Sequence, residues 1–280
     1  MEQVLEAGVI EATINYIDRS VKRVDADLSA NYVPPPLDPR RMCIRDARAA
    51  GTTFEAEGFE IHKWPGSVAS REALIEANRT FSTETAAASR AYQMSVLPLL
   101  EKLSGAREVV PFVAGIVVRF SDRHKDKTWQ PAVSMVHIDM ERTTVESFTK
   151  FAFEAEGRTL KPYSRAVVYQ VWQPLSPPPH DSMVAFCDGR TVPASDIVLM
   201  DVTFGKGTSP ADKFVSRGVY YNSNHEWYYF PDMGEDEVIV FKGFDTALGD
   251  ASNLAHTAFD NPAGGIPRNS VECRFVALYD

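Results

Sequence analysis

The sequence predicts a mainly β protein with flanking helices, an α+β arrangement built on a jelly-roll double sheet of the cupin kind. Two observations lead there. After residue 107 the chain carries a succession of short runs rich in Val, Ile, Phe and Tyr, most of them separated by turn residues: EVVPFVAGIVVRF, PAVSMVHIDM, SRAVVYQVWQPL, SMVAFCD, WYYF, DEVIVFK and SVECRFVALYD. Before them, from Ser70 to Leu103, apolar residues recur at three- and four-residue steps, the spacing of a helical region. Seven or eight short strands behind a helical segment fit two packed sheets closed into a barrel.

At 280 residues the chain is long for an average domain, yet barrels reach that size as one unit. One domain over 1–280 is expected, with N-terminal strands and helices (about 1–106) buttressing a core (about 107–280). No internal repeat or low-complexity tract divides it. An apolar fraction of 44% beside 24% charged residues is enough to bury an ordinary globular core. The net charge of −9, with no Lys/Arg run, argues against nucleic acid or an anionic membrane as the main partner. No stretch reaches the roughly 20 apolar residues that span a bilayer. The segment MEQVLEAGVIEA lacks the basic and apolar parts of a secretory leader. Cys43, Cys187 and Cys273 are far apart, without a CxxC pair, which suits a reducing compartment. The cytoplasm is the expected location.

In chain order, VIEATINYI (9–17) alternates, with Ile10, Ala12, Ile14 and Tyr16 on one face, and reads as a strand. NYVPPPLDPRR reads as a proline-rich connection, and MCIRDARAAG and GFEIHKW as short strands punctuated by Gly58. In the helical region, Leu74, Ala77 and Phe81 form one stripe and Ala88, Tyr92, Val96 and Leu99 a second. Pro98 is expected to kink or divide the second segment, and Ser104-Gly105 to end it. The helices are expected to pack on an outer face of the sheets. From Glu108 onward the expectation is mostly β.

VSMVHIDMER (133–142) carries the first chemical signal. Alternate residues of a strand share a face, so His137 and Asp139 point one way and Ile138 the other. An imidazole and a carboxylate so placed are two of the three ligands of the facial triad that holds iron(II) and leaves positions open. His-x-Asp alone is a weak signal, and a hydrogen-bonded core histidine is the ordinary alternative. The third ligand would come from His180, His225 or His256. His180 follows a Pro-Pro-Pro run and is expected to be exposed, while His225 sits among aromatics in NSNHEWYYF. His256 is preferred, because after the strand DEVIVFK and a loop the second sheet of a barrel can return to the metal. Arg268 and Ser270, in PRNSVECR, share a strand face. They offer a guanidinium fork and a hydroxyl to a buried carboxylate, such as the far end of a dicarboxylate cosubstrate. Arg274 shares that face and competes for the role; its alternative is a surface ion pair with Glu272. Trp129, Gln130, Trp172 and His225 are candidates for the walls of a substrate pocket.

These blocks sit in a longer ordered series. CIRDAR and GFEIHKW, then HID, VWQPL, MVAFCD, HEWYYFPDMGEDEVIVFKGFD, HTAFDNP and PRNSVECR cover nearly the whole chain. Together they resemble the CmcJ/NvfI-like (gibberellin desaturase-like) family of non-haem Fe(II)/2-oxoglutarate-dependent oxygenases. The resemblance implies a double-stranded β-helix with iron(II) on His137, Asp139 and His256. It also implies 2-oxoglutarate anchored by Arg268 and Ser270, with Arg274 as the rival anchor, and O2 as co-reactant. The implied activity is hydroxylation, desaturation or related C–H oxidation of a small-molecule natural product in secondary metabolism, with a terpenoid as one suitable substrate. Members act on very different molecules, so the resemblance selects none of them. The alternative is a cupin-like metal dioxygenase or isomerase not using 2-oxoglutarate, which would have no need of Arg268 and Ser270 in a closed pocket. A metal-free binding barrel is a third reading. The expected partner is the small molecule, with a homodimer as the candidate assembly and no nucleic acid or membrane.

Overall fold

The computed structural model describes residues 8–27, 33–64, 66, 70–80, 83–121, 123, 130–203, 213–252 and 254–280. Their strands, numbered in chain order, form a sheet of nine and a sheet of five. The larger runs, in spatial order, β1 (Val9–Ile17), β3 (Leu37–Asp46), β11 (Trp227–Tyr229), β8 (Ser182–Cys187) and β13 (His256–Asp260). It continues with β6 (His137–Ile138), β10 (Lys213–Val219), β9 (Ile197–Thr203) and β2 (Val24–Asp27). The smaller runs β4 (Phe59–Lys63), β12 (Glu237–Asp245), β7 (Arg165–Pro174), β14 (Asn269–Tyr279) and β5 (Glu108–Phe120). The two sheets meet face to face: Phe59 and Phe241 of the smaller each lie 5.1 Å from Phe186 of the larger, ring centre to ring centre. This is the jelly-roll double sheet that the sequence predicts. Strands β1–β4, from before residue 107, are hydrogen-bonded members of these same sheets.

β7 and β12 are buried along nearly their whole length because both faces are covered. One face of β7 carries Val167, Tyr169 and Val171, which pack with Val238 and Val240 against the helices α2 (Arg71–Thr80) and α3 (Thr83–Ser104). From the helices come Leu74, Tyr92, Val96 and Leu100, the i, i+4, i+8 stripe of an amphipathic helix laid on a sheet. The other face of β7 carries Gln170 and Trp172 into the space between the sheets. No helix among the described residues is long and apolar enough to cross a membrane.

Several local expectations are corrected. Pro98 does not divide α3, which runs unbroken from Thr83 to Ser104. Pro98 lies on the exposed side, and Met94, whose carbonyl loses its helical donor, is 41% exposed, so water can satisfy it. Gly105, at φ 57°, then ends the helix, as expected. The proline-rich connection is in part strand, since β3 starts at Leu37. Pro39 is tolerated there because β11 pairs only with Ile44–Asp46, so that among the described residues no strand pairs with Pro39 on that side. In MCIRDARAAG the strand stops at Asp46, whose side chain accepts from the N–H groups of Arg48 and Ala49 and caps the short helix α1 (Ala47–Ala50). In PAVSMVHIDM only His137 and Ile138 are strand.

A second departure is α4 (Arg142–Ala155), inside the stretch expected to be mostly β. Val145, Ala152 and Phe153 pack with Val110, Val168, Phe244 and Val276. Val168 and Val276 lie on the same strand faces as Gln170 and Arg274, so α4 closes one end of the space between the sheets.

Candidate metal centre

β6 is only two residues long, yet its place in the sheet decides the site. His137 lies opposite His256 in the antiparallel pairing of β6 with β13, so both side chains leave the same face. Their rings are 4.3 Å apart, centre to centre. Asp139, just past the strand, reaches the same point. Its Oδ1 is 3.5 Å from His137 Nε2, and its Oδ2 is 3.9 Å from His256 Nε2. One ligand atom from each residue lies within 4.8 Å of the others, and among the described residues no other His, Cys, Asp or Glu group of three does so.

The tautomers are set locally. His137 Nδ1 is 2.8 Å from the Met135 carbonyl, and His256 Nδ1 is 3.4 Å from that of Leu254. A carbonyl only accepts, so each Nδ1 is the donor and each Nε2 is the ring atom turned toward Asp139. Burial pushes the His137 imidazole down to about 4, aided by the neighbouring His256 and opposed by Asp139. The ring is therefore neutral at neutral pH, as a ligand must be. Burial by itself would raise the Asp139 carboxyl, but Arg274, then His256 and His137, outweigh it and hold the group far below the usual carboxylate range. Phe186 and Phe241 lie against the His256 ring, 6.0 and 5.1 Å away.

Arg274 Nη2 donates to Asp139 Oδ2 at 2.8 Å and to Glu272 Oε1 at 3.0 Å, and its Nε donates to Gln170 Oε1 at 2.7 Å. The ion pair with Glu272 exists, but it is partly buried and faces the interior between the sheets, not the open surface. Arg268, just before β14, is 3% exposed. Its guanidinium lies over the Trp172 ring, 5.5 Å from the centre, and its Nη1 is 3.5 Å from the Ser182 carbonyl. Ser270 is 1% exposed and sits opposite Pro174 of β7. On β8, Ser182 marks the Arg268 end and Phe186 the triad end. They are four residue steps apart along the strand, about 13 Å at about 3.3 Å per step.

Trp172 is buried between the sheets with Phe186, Phe241 and Ile239. Gln130 is half-buried, and its carbonyl accepts from the Phe120 N–H at 3.0 Å. Trp129 lies outside the described residues. His225 stands apart from the triad, stacked on Tyr16 at 5.5 Å and 3.4 Å from Asp196 through Nε2. It lines a cavity of about 510 Å³ that no triad residue touches. His180, expected to be exposed, is 5% exposed. The turn at 261–266 folds over it: Asn261 donates to its carbonyl, and the Asp181 N–H donates to Ile266. His180 Nε2 in turn donates to the Ser176 carbonyl at 2.7 Å.

The sequence reading passed over Gln170, Phe186 and Phe241. Gln170 had a signal, as a polar residue inside the apolar run RAVVYQVWQP; the two phenylalanines looked like any core residue.

A family model described as "Oxidoreductase/YMDC permease-like domain" matches residues 13–278. The Fe(II)/2-oxoglutarate-dependent dioxygenase nvfI of Aspergillus novofumigatus is 30% identical over 246 residues, 86% of this chain and 84% of that protein. The chain belongs to the NvfI-like family of Fe(II)/2-oxoglutarate-dependent oxygenases. The hydroxylase/desaturase efuI of Hormonema carpetanum is 32% identical to this NvfI-like chain over 167 residues, 55% of the chain and 54% of that protein. The solved structure of the iron and alpha-ketoglutarate-dependent endoperoxidase NvfI shares the fold, with a TM-score of 0.74 at 21% identity over 98% of this chain and 99% of that one.

The triad of this NvfI-like chain fits a divalent ion. Nitrogen and oxygen ligands about 2.0–2.2 Å from one metal, at right angles, stand about 3 Å apart. His137 Nε2 and Asp139 Oδ1, 3.5 Å apart, reach that value by closing about 0.5 Å; His256 Nε2, 3.9 Å from Oδ2, lies on the other side of the same carboxylate. Two imidazoles turned in through Nε2 and one carboxylate are the donor set of an iron(II) facial triad.

Proposed function

We propose that the chain is an Fe(II)- and 2-oxoglutarate-dependent oxygenase that oxidises a small-molecule natural product in secondary metabolism. His137, Asp139 and His256 hold the iron, and Arg268 and Ser270 hold the far carboxylate of 2-oxoglutarate. The observation that carries this reading is the meeting of three ligand atoms within 4.8 Å, where β6 pairs with β13. Bound iron(II) and 2-oxoglutarate supply the chemistry: with dioxygen, the cosubstrate becomes succinate and carbon dioxide while a substrate C–H bond is oxidised.

The chain's own residues position and exclude. The Met135 carbonyl keeps the His137 proton on Nδ1 and the lone pair on Nε2. Arg268, backed by the face of Trp172, presents parallel N–H donors to a carboxylate, and the Ser270 hydroxyl adds another. Phe186 and Phe241 keep water from the His256 side. An apolar multi-ring molecule, a terpenoid among others, suits walls of this kind. Whether it is hydroxylated, desaturated or otherwise oxidised depends on how it is held. The free cysteines, two of them buried, suit the reducing cytoplasm. The placing of β1–β4 within both sheets supports one functional unit over 1–280.

Turnover of 2-oxoglutarate tests the proposal. With Fe(II), ascorbate and oxygen, the protein is expected to form succinate, a chelator to stop it, and a suitable natural product to accelerate it. Iron-dependent oxygen uptake that leaves 2-oxoglutarate unconsumed would favour the cupin-like alternative.

A further inference from the structure

We infer that Arg274 is a positioning residue for the metal-binding carboxylate, occupying Asp139 Oδ2 so that Oδ1 alone is left for the metal, and that it is not an anchor for the cosubstrate. The inference rests on the proposed iron site and assigns a role within it. Asp139 lies beyond the end of a two-residue strand and has no sheet ladder of its own to fix it. Arg274 comes from β14, near the centre of the opposite sheet, where it faces Gln170 of β7 in register. Its Nη2 reaches across to Asp139 Oδ2 at 2.8 Å. Oδ1 remains on the His137 side, 3.5 Å from Nε2, while Oδ2, held by Arg274, is the oxygen on the His256 side, 3.9 Å from that Nε2; coordination through Oδ1 alone therefore brings His256 toward the His137 side. A carboxylate free at both oxygens can chelate one ion through both and use two coordination positions. A strong donor already on Oδ2 opposes that.

The surrounding charges explain how an arginine can stand so close to a cation site. A guanidinium does not lose its proton in proteins, so an isolated one would repel the metal. Here Glu272 Oε1 lies 3.0 Å from the same Nη2, and Arg119 Nε lies 4.0 Å from Glu272. The signs therefore alternate: Asp139 negative, Arg274 positive, Glu272 negative, Arg119 positive. Gln170, which accepts from Nε at 2.7 Å, fixes the plane of the fork. These three acceptors engage Nε and Nη2 and hold the guanidinium beside the triad, whereas Arg268 lies on Trp172 toward the Ser182 end of the interior.

Cobalt(II), an oxygen-stable stand-in for iron, gives a readout separate from turnover. Arg274→Ala is expected to weaken Co(II) binding by about 10–100-fold, the usual effect of losing a partner of a metal ligand. It is also expected to change the visible Co(II) absorption, which reports coordination number. Arg274→Lys should recover part of the affinity, since one ammonium can reach Oδ2 but cannot span Gln170 and Glu272 as well. Arg268→Ala should keep the wild-type Co(II) affinity and spectrum while losing 2-oxoglutarate affinity.

Because Arg274→Ala leaves the partly buried Glu272 with only the more distant Arg119 as counter-charge, the double variant R274M/E272Q removes both charges and guards against simple unfolding. It is expected to keep the wild-type circular dichroism and to show the same Co(II) loss. Wild-type Co(II) affinity and spectrum in that folded double variant would overturn the inference. So would an Arg274→Ala protein that lost 2-oxoglutarate affinity alone. Wild-type protein that takes up no Co(II) would overturn the iron site itself, and this role with it.

Discussion

In the proposed site Asp139 would supply charge as well as a ligand, so its loss should be felt more than that of any single aromatic wall. Asp139→Ala is expected to lose stoichiometric iron and all iron-dependent turnover, with the circular dichroism of the wild type. His256→Ala should behave the same way, because its Nε2 faces Asp139. His225→Ala should keep its iron, since that ring is engaged with Tyr16 and Asp196; iron loss there would move the distal ligand. Metal analysis of the three purified variants checks all of this. At this scale His137 and Asp139 were legible as a pair from their spacing, although the strand ends at Ile138 and the alternation that suggested the pair does not extend to Asp139. The link from Arg274 to Asp139 was not, since it joins residues 135 positions apart on opposite sheets. Nor was the burial of His180, which the turn at 261–266 imposes.

Elements show where local sequence and tertiary context disagree. Pro98 reads as a helix breaker, but its place on the exposed side of α3 leaves the packed stripe of Tyr92, Val96 and Leu100 intact. Pro98→Ala should therefore stabilise the protein by about 1–2 kcal/mol. That figure is the roughly 3 kcal/mol helix penalty of proline, reduced by local relaxation and by proline's stiffening of the unfolded chain. Urea unfolding measures it, and a net destabilisation would show that α3 needs the proline to pack. Gly243 makes the opposite case. It sits at a bulge in β12, where a Cβ would lie 2.8 Å from Val168 Cγ1 and 3.2 Å from Gln170 Cγ. Gly243→Ala should cost about 1–3 kcal/mol in the same assay, the usual penalty of overpacking; an unchanged midpoint would mean that β7 yields easily. The helix α4 was missed although its buried residues Val145, Thr149, Ala152 and Phe153 recur at i, i+4, i+7 and i+8, because the surrounding Thr, Val and Phe residues carry strand propensity.

Across the whole molecule, the triad belongs to the larger sheet, while Arg268, Ser270 and Arg274 belong to the β14 segment of the smaller one. A loaded site would therefore tie the two sheets together. Saturating Co(II) and 2-oxoglutarate should raise the melting midpoint of the wild type but not of Asp139→Ala; a ligand at 100 times its Kd adds about 2.7 kcal/mol. The fold class was legible at this scale because alternating and continuous apolar runs mark strands wherever they pair. The strand order was not, since β3 beside β11 and β2 beside β9 are parallel pairings of segments far apart in the chain. Anaerobic titration of the Fe(II)-loaded protein with 2-oxoglutarate, followed by metal-to-ligand absorbance, bears on both sheets at once. The wild type should develop the band with one equivalent, and Asp139→Ala should develop none. Arg268→Ala should keep its iron yet need roughly 10²–10⁴ times more cosubstrate, from the about 3–5 kcal/mol lost when a buried pair is broken, at about 1.4 kcal/mol per decade. An Asp139→Ala protein that forms the band with wild-type affinity, or an Arg268→Ala protein that titrates like the wild type, would contradict the assignment.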